Sequence, residues 1–126
     1  YSFPWTRGNF VDSLAAGYVA QVLYSDAGDL LGYYVAMAGV DEMHLLNITV
    51  APPYEGRGHA RHMLDELVRQ ARARAAQQVW LEVRESNLAA RNLYASLGFE
   101  ITGVRKNYYI QTNEAAITMS RTLRGA

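Results

Sequence analysis

The stretch whose reading decides the fold is "NITVAPPYEGRGHARHMLDELV", residues 47–68. An apolar, β-branched run ends at Val50, two prolines follow, and Gly56 and Gly58 flank one arginine before an amphipathic segment begins. Ala60, Met63, Leu64, Leu67, Val68, Ala71 and Ala75 recur at spacings of three, four and seven, the signature of a helix with one buried face. Arg61, Glu66, Arg69, Arg72 and Arg74 lie largely off that stripe. The order is therefore strand, glycine turn, helix. Glycines permit positive φ and let a backbone approach a ligand closely. A helix N-terminus presents unpaired N–H groups and roughly half a positive charge. Together they suit a phosphate group, although a tight turn with no ligand explains the glycines equally well. No Gly-Lys-Ser/Thr follows, so the turn is not a P-loop, and the third glycine of a dinucleotide fingerprint is missing.

Working outward, "YVAQVLYS" (18–25) and "LLGYYVAMAG" (30–39) are β-branched and aromatic, and the turn signal "DAGD" between them predicts an antiparallel hairpin. "EMHLLNITV" (42–50) predicts a third strand, its near-continuous apolar character implying burial on both faces. "QVWLEV" (78–83) predicts another buried strand. Asn87 can cap a second helix with Ala90, Leu93, Tyr94 and Leu97 on its apolar face and Gly98 at its end. Two further strands are expected at 100–109 and 115–121. At the N-terminus, Thr6 can cap a short helix carrying Phe10, Val11 and Leu14 and stopped by Gly17. Antiparallel strands first and a strand–helix–strand crossover in the middle predict one α/β domain, residues 1–126, with a mixed sheet.

The 126 residues are half hydrophobic and 19% charged, with formal net charge zero. No global field draws such a chain to nucleic acid or to a membrane. There is no cysteine, hence no disulfide framework and no thiolate nucleophile. His44, His59 and His62 do not form a metal-ligand pattern. No apolar run approaches the roughly 20 residues of a membrane span, and no signal peptide is visible. The expectation is a cytoplasmic protein without a metal. Because the chain starts at Tyr1 rather than at methionine, a trimmed N-terminus is also expected.

The segment "VAPPYEGRGHA" resembles the pyrophosphate-binding segment of the GCN5-related N-acetyltransferases (GNAT), whose pattern is Gln/Arg-x-x-Gly-x-Gly/Ala. Gly58 and Ala60 match it, and Glu55 stands where glutamine or arginine is usual. The resemblance extends over nearly the whole chain, through "FPWT" (3–6), "LLNITVAPPYEGRGHA" (45–60), "WLEVRESNLAARNLYASLGF" (80–99) and "VRKNYY" (104–109). Within the family it is greatest to the bacterial ribosomal-protein-alanine N-acetyltransferases. The resemblance implies a mixed, mainly antiparallel sheet flanked by helices, here lacking the first strand and most of the first helix, since "FPW" normally follows them. It implies acetyl-CoA as co-substrate, with its phosphates on the N–H groups of Arg57, Gly58, His59 and Ala60. The strand edge at Ile48, Thr49 and Val50 would face its pantetheine arm.

Glu82 interrupts the run "VWLEV", and period-two alternation places it with Trp80 and Arg84, opposite Val79, Leu81 and Val83. A carboxylate in a mostly buried strand is costly unless paired or functional. From position alone an ion pair with Arg84 or another arginine serves as well as a general base. The resemblance implies the base, taking the acceptor's proton through water. Tyr94 lies about two helical turns after Asn87, so both sit near one face. Core packing accounts for the tyrosine and helix capping for the asparagine. In the family that asparagine hydrogen-bonds the pantetheine arm and the tyrosine sits beside the sulfur, where it can protonate the departing thiolate. Tyr108 and Tyr109 fall where related enzymes clamp a peptide acceptor, though adjacent tyrosines can simply cover both faces of an edge strand. Arg84 and Glu42 are weaker candidates for the acceptor groove.

The implied activity is N-α-acetylation of the N-terminal alanine of a small-subunit ribosomal protein, by direct attack of the neutral amine on the thioester. The alternatives are acetylation of another amine, whether another protein N-terminus, a lysine or a small molecule, or a non-catalytic acyl-CoA-binding module. Intact Glu82, Asn87 and Tyr94 weigh against the last.

Overall fold

The structure is a computed structural model that describes residues 17–109 and 111–123. The helix expected to start at Thr6 lies outside the described residues. Six strands form one sheet: β1 (Tyr18–Tyr24), β2 (Leu30–Ala38), β3 (Glu42–Val50), β4 (Gln78–Arg84), β5 (Glu100–Tyr109) and β6 (Glu114–Thr122). Among the described residues two α-helices interrupt them, α1 (His59–Ala73) and α2 (Leu88–Ser96), and a 3-10 turn covers Pro52–Tyr54. The strand order is β1-β2-β3-β4-β6-β5. All neighbours are antiparallel except β3 and β4, which α1 connects as a parallel crossover.

The helix stripe behaves as its period requires as far as Ala71; the expected Ala75 lies beyond the helix end at Ala73, exposed and with φ 57°. Met63, Leu64, Leu67, Val68 and Ala71 are the buried residues of α1. They join Tyr34, Ala36, Met43, Leu45, Val79, Leu81 and Val83 in one core cluster. Tyr94 brings α2 into the same cluster, with Ala90, Leu93 and Leu97 packed against it. Leu64 and Leu67 are each 1% exposed, so either truncated to alanine would cost about 2–5 kcal/mol. Gly32 lets this layer close. A Cβ there would stand 2.4 Å from the Thr49 carbonyl oxygen and 3.0 Å from the Met63 methyl, so no larger residue fits without moving β3 or α1.

Strand β3 departs from the sequence expectation. Met43 and Leu45 are buried, but Leu46 is 44% exposed and Asn47 is exposed as well, so the strand is not covered on both faces. The reason is a bulge. Val35 pairs with Asn47 and Ala36 with Leu45, which leaves Leu46 as the extra residue. A bulge bends its strand and increases local twist. The parallel pairing to β4 then covers only Glu42–Gln78, Met43–Val79 and His44–Trp80, and the two strands part beyond it. On the far side β4 stays paired to β6 over its whole length, from Gln78 to Arg84.

Candidate active site

Where β3 and β4 part, an open cleft of about 440 Å³ lies between Leu45–Ile48 and Leu81–Arg84. Asn87, Ala90 and Tyr94 from α2 border it, as does Tyr109 at the end of β5. In a strand, alternate residues turn N–H and C=O to opposite sides. Half of the backbone groups of Leu45–Val50 therefore face a gap that no strand among the described residues fills.

Beyond Val50 the chain enters the turn that leads to α1. Gly56 has φ 75° and Gly58 φ 84°, a region L-residues rarely adopt. Gly58 is the N-cap of α1, with no side-chain cap and no acidic residue in the first turn. The first intrahelical bond at this end runs from the His62 N–H to the Gly58 carbonyl, so the amides of His59, Ala60 and Arg61 precede the ladder. The Arg57 guanidinium lies 5.7 Å from the Tyr54 ring centroid. Glu55 is exposed. Arg61 reaches across to α2, its Nη2 donating to Ser96 Oγ at 2.8 Å.

On β4 the alternation holds, with Val79, Leu81 and Val83 buried and Trp80 and Glu82 half-buried on the other face. The Glu82 side chain is 15% exposed, and its Oε2 lies 3.2 Å from Arg105 Nε. That oxygen is buried and receives no properly aligned hydrogen bond, so the contact is a charge pairing rather than a directed bond. His44 stacks on Trp80 beside it, with centroids 3.6 Å apart and planes 8° from parallel. Burial holds the His44 imidazole below its ordinary value, against the opposing pull of Glu82 and Glu42, which favours the neutral ring.

Asn87 Oδ1 accepts the Ala90 N–H at 3.2 Å and so caps α2. Capping uses one lone-pair oxygen and leaves the amide NH₂ uncommitted by it. Tyr94 is 8% exposed, its ring tilted against Phe99 at 5.9 Å. Burial raises its hydroxyl above the usual tyrosine value, so it carries its proton throughout the neutral range.

Of the residues singled out in the sequence, the fold brings Ile48, Glu82, Arg84, Asn87, Tyr94 and Tyr109 to one cleft. Thr49 and Val50 continue the β3 edge, and Arg57, Gly58, His59 and Ala60 form the start of α1. Two candidates lie elsewhere. Glu42 opens β3 opposite Gln78, six residues and about 20 Å of strand from Ile48, beside a separate hollow with Asp41 and Gln77. Tyr108 is 47% exposed and meets Tyr109 edge-on at 5.2 Å. Arg84 is exposed but has partners. Its Nη1 donates to Glu114 Oε2 at 3.2 Å, and its guanidinium sits 4.0 Å from the Tyr109 centroid. The other Glu114 oxygen accepts the Ser86 N–H at 3.0 Å. Glu114 and Arg105 are the residues that sequence reasoning missed. Both are charges on β6 and β5 whose partners become visible only once strand register is known.

No helix among the described residues is long and apolar enough to cross a membrane. Among those residues no cluster of three or more His, Cys, Asp or Glu side chains is placed to hold a metal ion.

Comparison with known proteins agrees with this architecture. The chain is 36% identical over 122 residues to the ribosomal protein bS18-alanine N-acetyltransferase of Escherichia coli strain K12, covering 95% of this chain and 82% of that one. The crystal structure of the ribosomal-protein-S18-alanine N-acetyltransferase from Escherichia coli superposes with a TM-score of 0.83 at 34% identity, covering all of this chain and 82% of that chain. A GNAT family acetyltransferase from Elizabethkingia anophelis, whose structure contains acetyl-CoA, shares the fold at TM-score 0.80 and 18% identity, over 90% of this chain and 81% of its own. The model of the acetyltransferase (GNAT) family matches residues 2–99, and the chain belongs to that family.

Proposed function

We propose that this acyltransferase transfers acetyl from acetyl-CoA to the N-terminal alanine of a small-subunit ribosomal protein. The observation that carries the reading is the parting of β3 from β4, with Glu82 and Tyr94 both at the resulting cleft. The gap exposes a strand edge suited to the amides of a pantetheine arm, and it points toward a helix N-terminus suited to phosphates. The residues present fit acetyl-CoA: unpaired backbone along Leu45–Val50, the Asn87 amide, and the uncapped amides after Gly58. When bound, that molecule supplies the activated acetyl group.

The chain's own groups do the rest. A peptide α-amino group has a pKa of about 8, so a base need remove only one proton to make it nucleophilic. Glu82, on the face opposite the helices, takes that proton. The β3 amides offer hydrogen bonds to the oxyanion that develops at the acetyl carbonyl. Tyr94, on the helix side, holds a proton for the departing thiolate. Tyr109, ordered by Arg84, borders the acceptor's path. Much of the rate comes from holding amine and thioester together. The acceptor assignment rests on the 36% identity to the Escherichia coli enzyme, and a cytoplasmic location belongs to the same reading.

Acetyl transfer to a peptide panel tests it. Turnover confined to Ala-starting peptides is the expected result. Preferential turnover of lysine or a small amine would replace the acceptor, and CoA binding without any turnover would make the protein a binding module.

A further inference from the structure

We propose that Arg105 is the positioning residue for the Glu82 base, holding one carboxylate oxygen so that the other is presented to the acceptor amine. The inference rests on the reading of Glu82 as general base and goes one residue beyond it. The sheet register makes the contact possible. Glu82 pairs with Thr118, and Thr118 with Gly103, so these three form a row across β4, β6 and β5. Arg84, Ala116 and Arg105 form the adjacent row on the same face. An arginine on β5 must reach across two strand spacings, roughly 10 Å. It can do so because Gly103 has no side chain and Thr118 and Ala116 are small. The Nε–Oε2 distance is 3.2 Å.

No other described residue takes this place. Arg84 shares the strand and face of Glu82 but is committed to Glu114 and to the Tyr109 ring. His44 is stacked on Trp80 and biased toward its neutral form. Glu42 adds only like charge. Among the described residues Arg105 is thus the single cation in ion-pairing distance of Glu82. The Oε2 atom that it faces is buried without another partner, and an unpaired buried carboxylate oxygen is costly. Without Arg105 the carboxylate would lose the cation that faces it and turn toward water, which moves the base out of the cleft. Arg105 also lies 5.5 Å from the Tyr108 ring centroid, just before the β5 irregularity in which Asn107 adopts φ 56°. The segment that orients the base is therefore continuous with the tyrosines assigned to the acceptor.

The test is a double-mutant cycle in steady-state acetylation of an Ala-starting peptide. R105Q should lower kcat roughly tenfold, within the range of measured couplings between contacting residues, and leave the acetyl-CoA KM unchanged. R105K should recover most of the loss. In the E82Q background R105Q should change kcat less than about twofold. In the ligand-free protein, R105Q should move the side-chain carboxyl ¹³C resonance of Glu82 and leave that of Glu114 in place. Wild-type kcat in R105Q, or the same fold-loss with and without Glu82, overturns the proposal while leaving the base assignment standing. Full activity in E82Q alone overturns the base assignment and this proposal with it. Arg105 is exposed on an edge strand, and an unchanged KM for acetyl-CoA certifies that each variant is folded.

Discussion

Substituting Gly58 by alanine separates the two jobs assigned to that residue. In the ligand-free protein a Cβ at position 58 meets nothing within 4 Å, so no clash contributes to the cost. What remains is the left-handed backbone, φ 84°, which costs an L-residue about 1–2 kcal/mol. Unfolding entropy of about 2.1 cal/mol/K per residue converts this to a fall in Tm of roughly 4–8 °C for a chain of this size. Gly56 has φ 75° and equally open surroundings, so Gly56→Ala should lose a similar amount of stability. The variants should differ in ligand binding. On the proposed assignment the pyrophosphate lies against the amides of His59, Ala60 and Arg61, and a methyl group at position 58 would displace it. Losing one charge-assisted hydrogen bond is worth about 1.5–3 kcal/mol, or roughly 10- to 100-fold in Kd. Calorimetric titration with CoA and scanning calorimetry, run on both variants, measure the two effects independently. If Gly58→Ala loses the expected stability yet binds CoA as tightly as wild type, the phosphates do not lie at the start of α1 and the cofactor assignment is wrong.

Glu82→Gln should lower kcat by roughly 10²–10⁴ near neutral pH, with partial recovery as pH rises and the amine deprotonates unaided; a loss that is flat across pH refutes the base. Tyr94→Phe keeps the ring against Phe99, so unfolding free energy should stay within about 0.5 kcal/mol of wild type while kcat falls; Tyr94→Ala should cost about 3–5 kcal/mol, and equal stability losses in the two would deny the hydroxyl a separate role. Hydrogen bonding from Ser86, and then Arg84, holds the Glu114 carboxyl below its ordinary value, so its contribution is complete above the usual carboxylate range and is lost as pH falls through the depressed folded value. Amide exchange at Ser86, corrected for its intrinsic pH dependence, should accelerate over that acid window in wild type and show no such step in Glu114→Gln.

The helices were legible in the sequence because their signals are local. The α1 stripe and its glycine entry, and the Asn87 cap with Gly98 after α2, are each written within a few turns of chain. The strands were legible in extent for the same reason. What could not be read was how they pair. The bulge at Leu46 carries no glycine or proline signal, yet it exposes Leu46 and Asn47 and opens the cleft. Glu42 was a weaker candidate for the groove, and register puts it opposite Gln78, at the other end of β3 from the cleft. The ion pairs of Glu82 with Arg105 and of Arg84 with Glu114 span 23 and 30 residues, and only the order β4-β6-β5 brings them together. The prolines at 52 and 53 marked a break in the chain without revealing the 3-10 turn that carries it.

The same register explains why the cleft opens at the parallel joint between β3 and β4. The antiparallel neighbours β2 and β3 are linked by a short turn, so their pairing is enforced from one end and persists to Gly32 and Val50. Among the described residues, strands β3 and β4 are joined only through the turn and α1, and no turn closes their far ends. Once the Leu46 bulge swings β3 aside, no hairpin pulls it back, and three residue pairs are all that remain. Opening costs ladder hydrogen bonds, since a backbone group left without a partner must find water or a ligand. Core contacts offset that cost, because Met43, Leu45, Val79 and Leu81 stay buried under α1 on the closed side. The gap is therefore held open by packing on one face while its edge stays unsatisfied along the other direction. A ligand with its own amides, lying along that edge, replaces the missing strand. On the proposed assignment, Glu82 and Tyr94 would approach the reacting group from opposite faces of the sheet, so that the proton taken from the amine and the proton given to the thiolate would travel by separate routes.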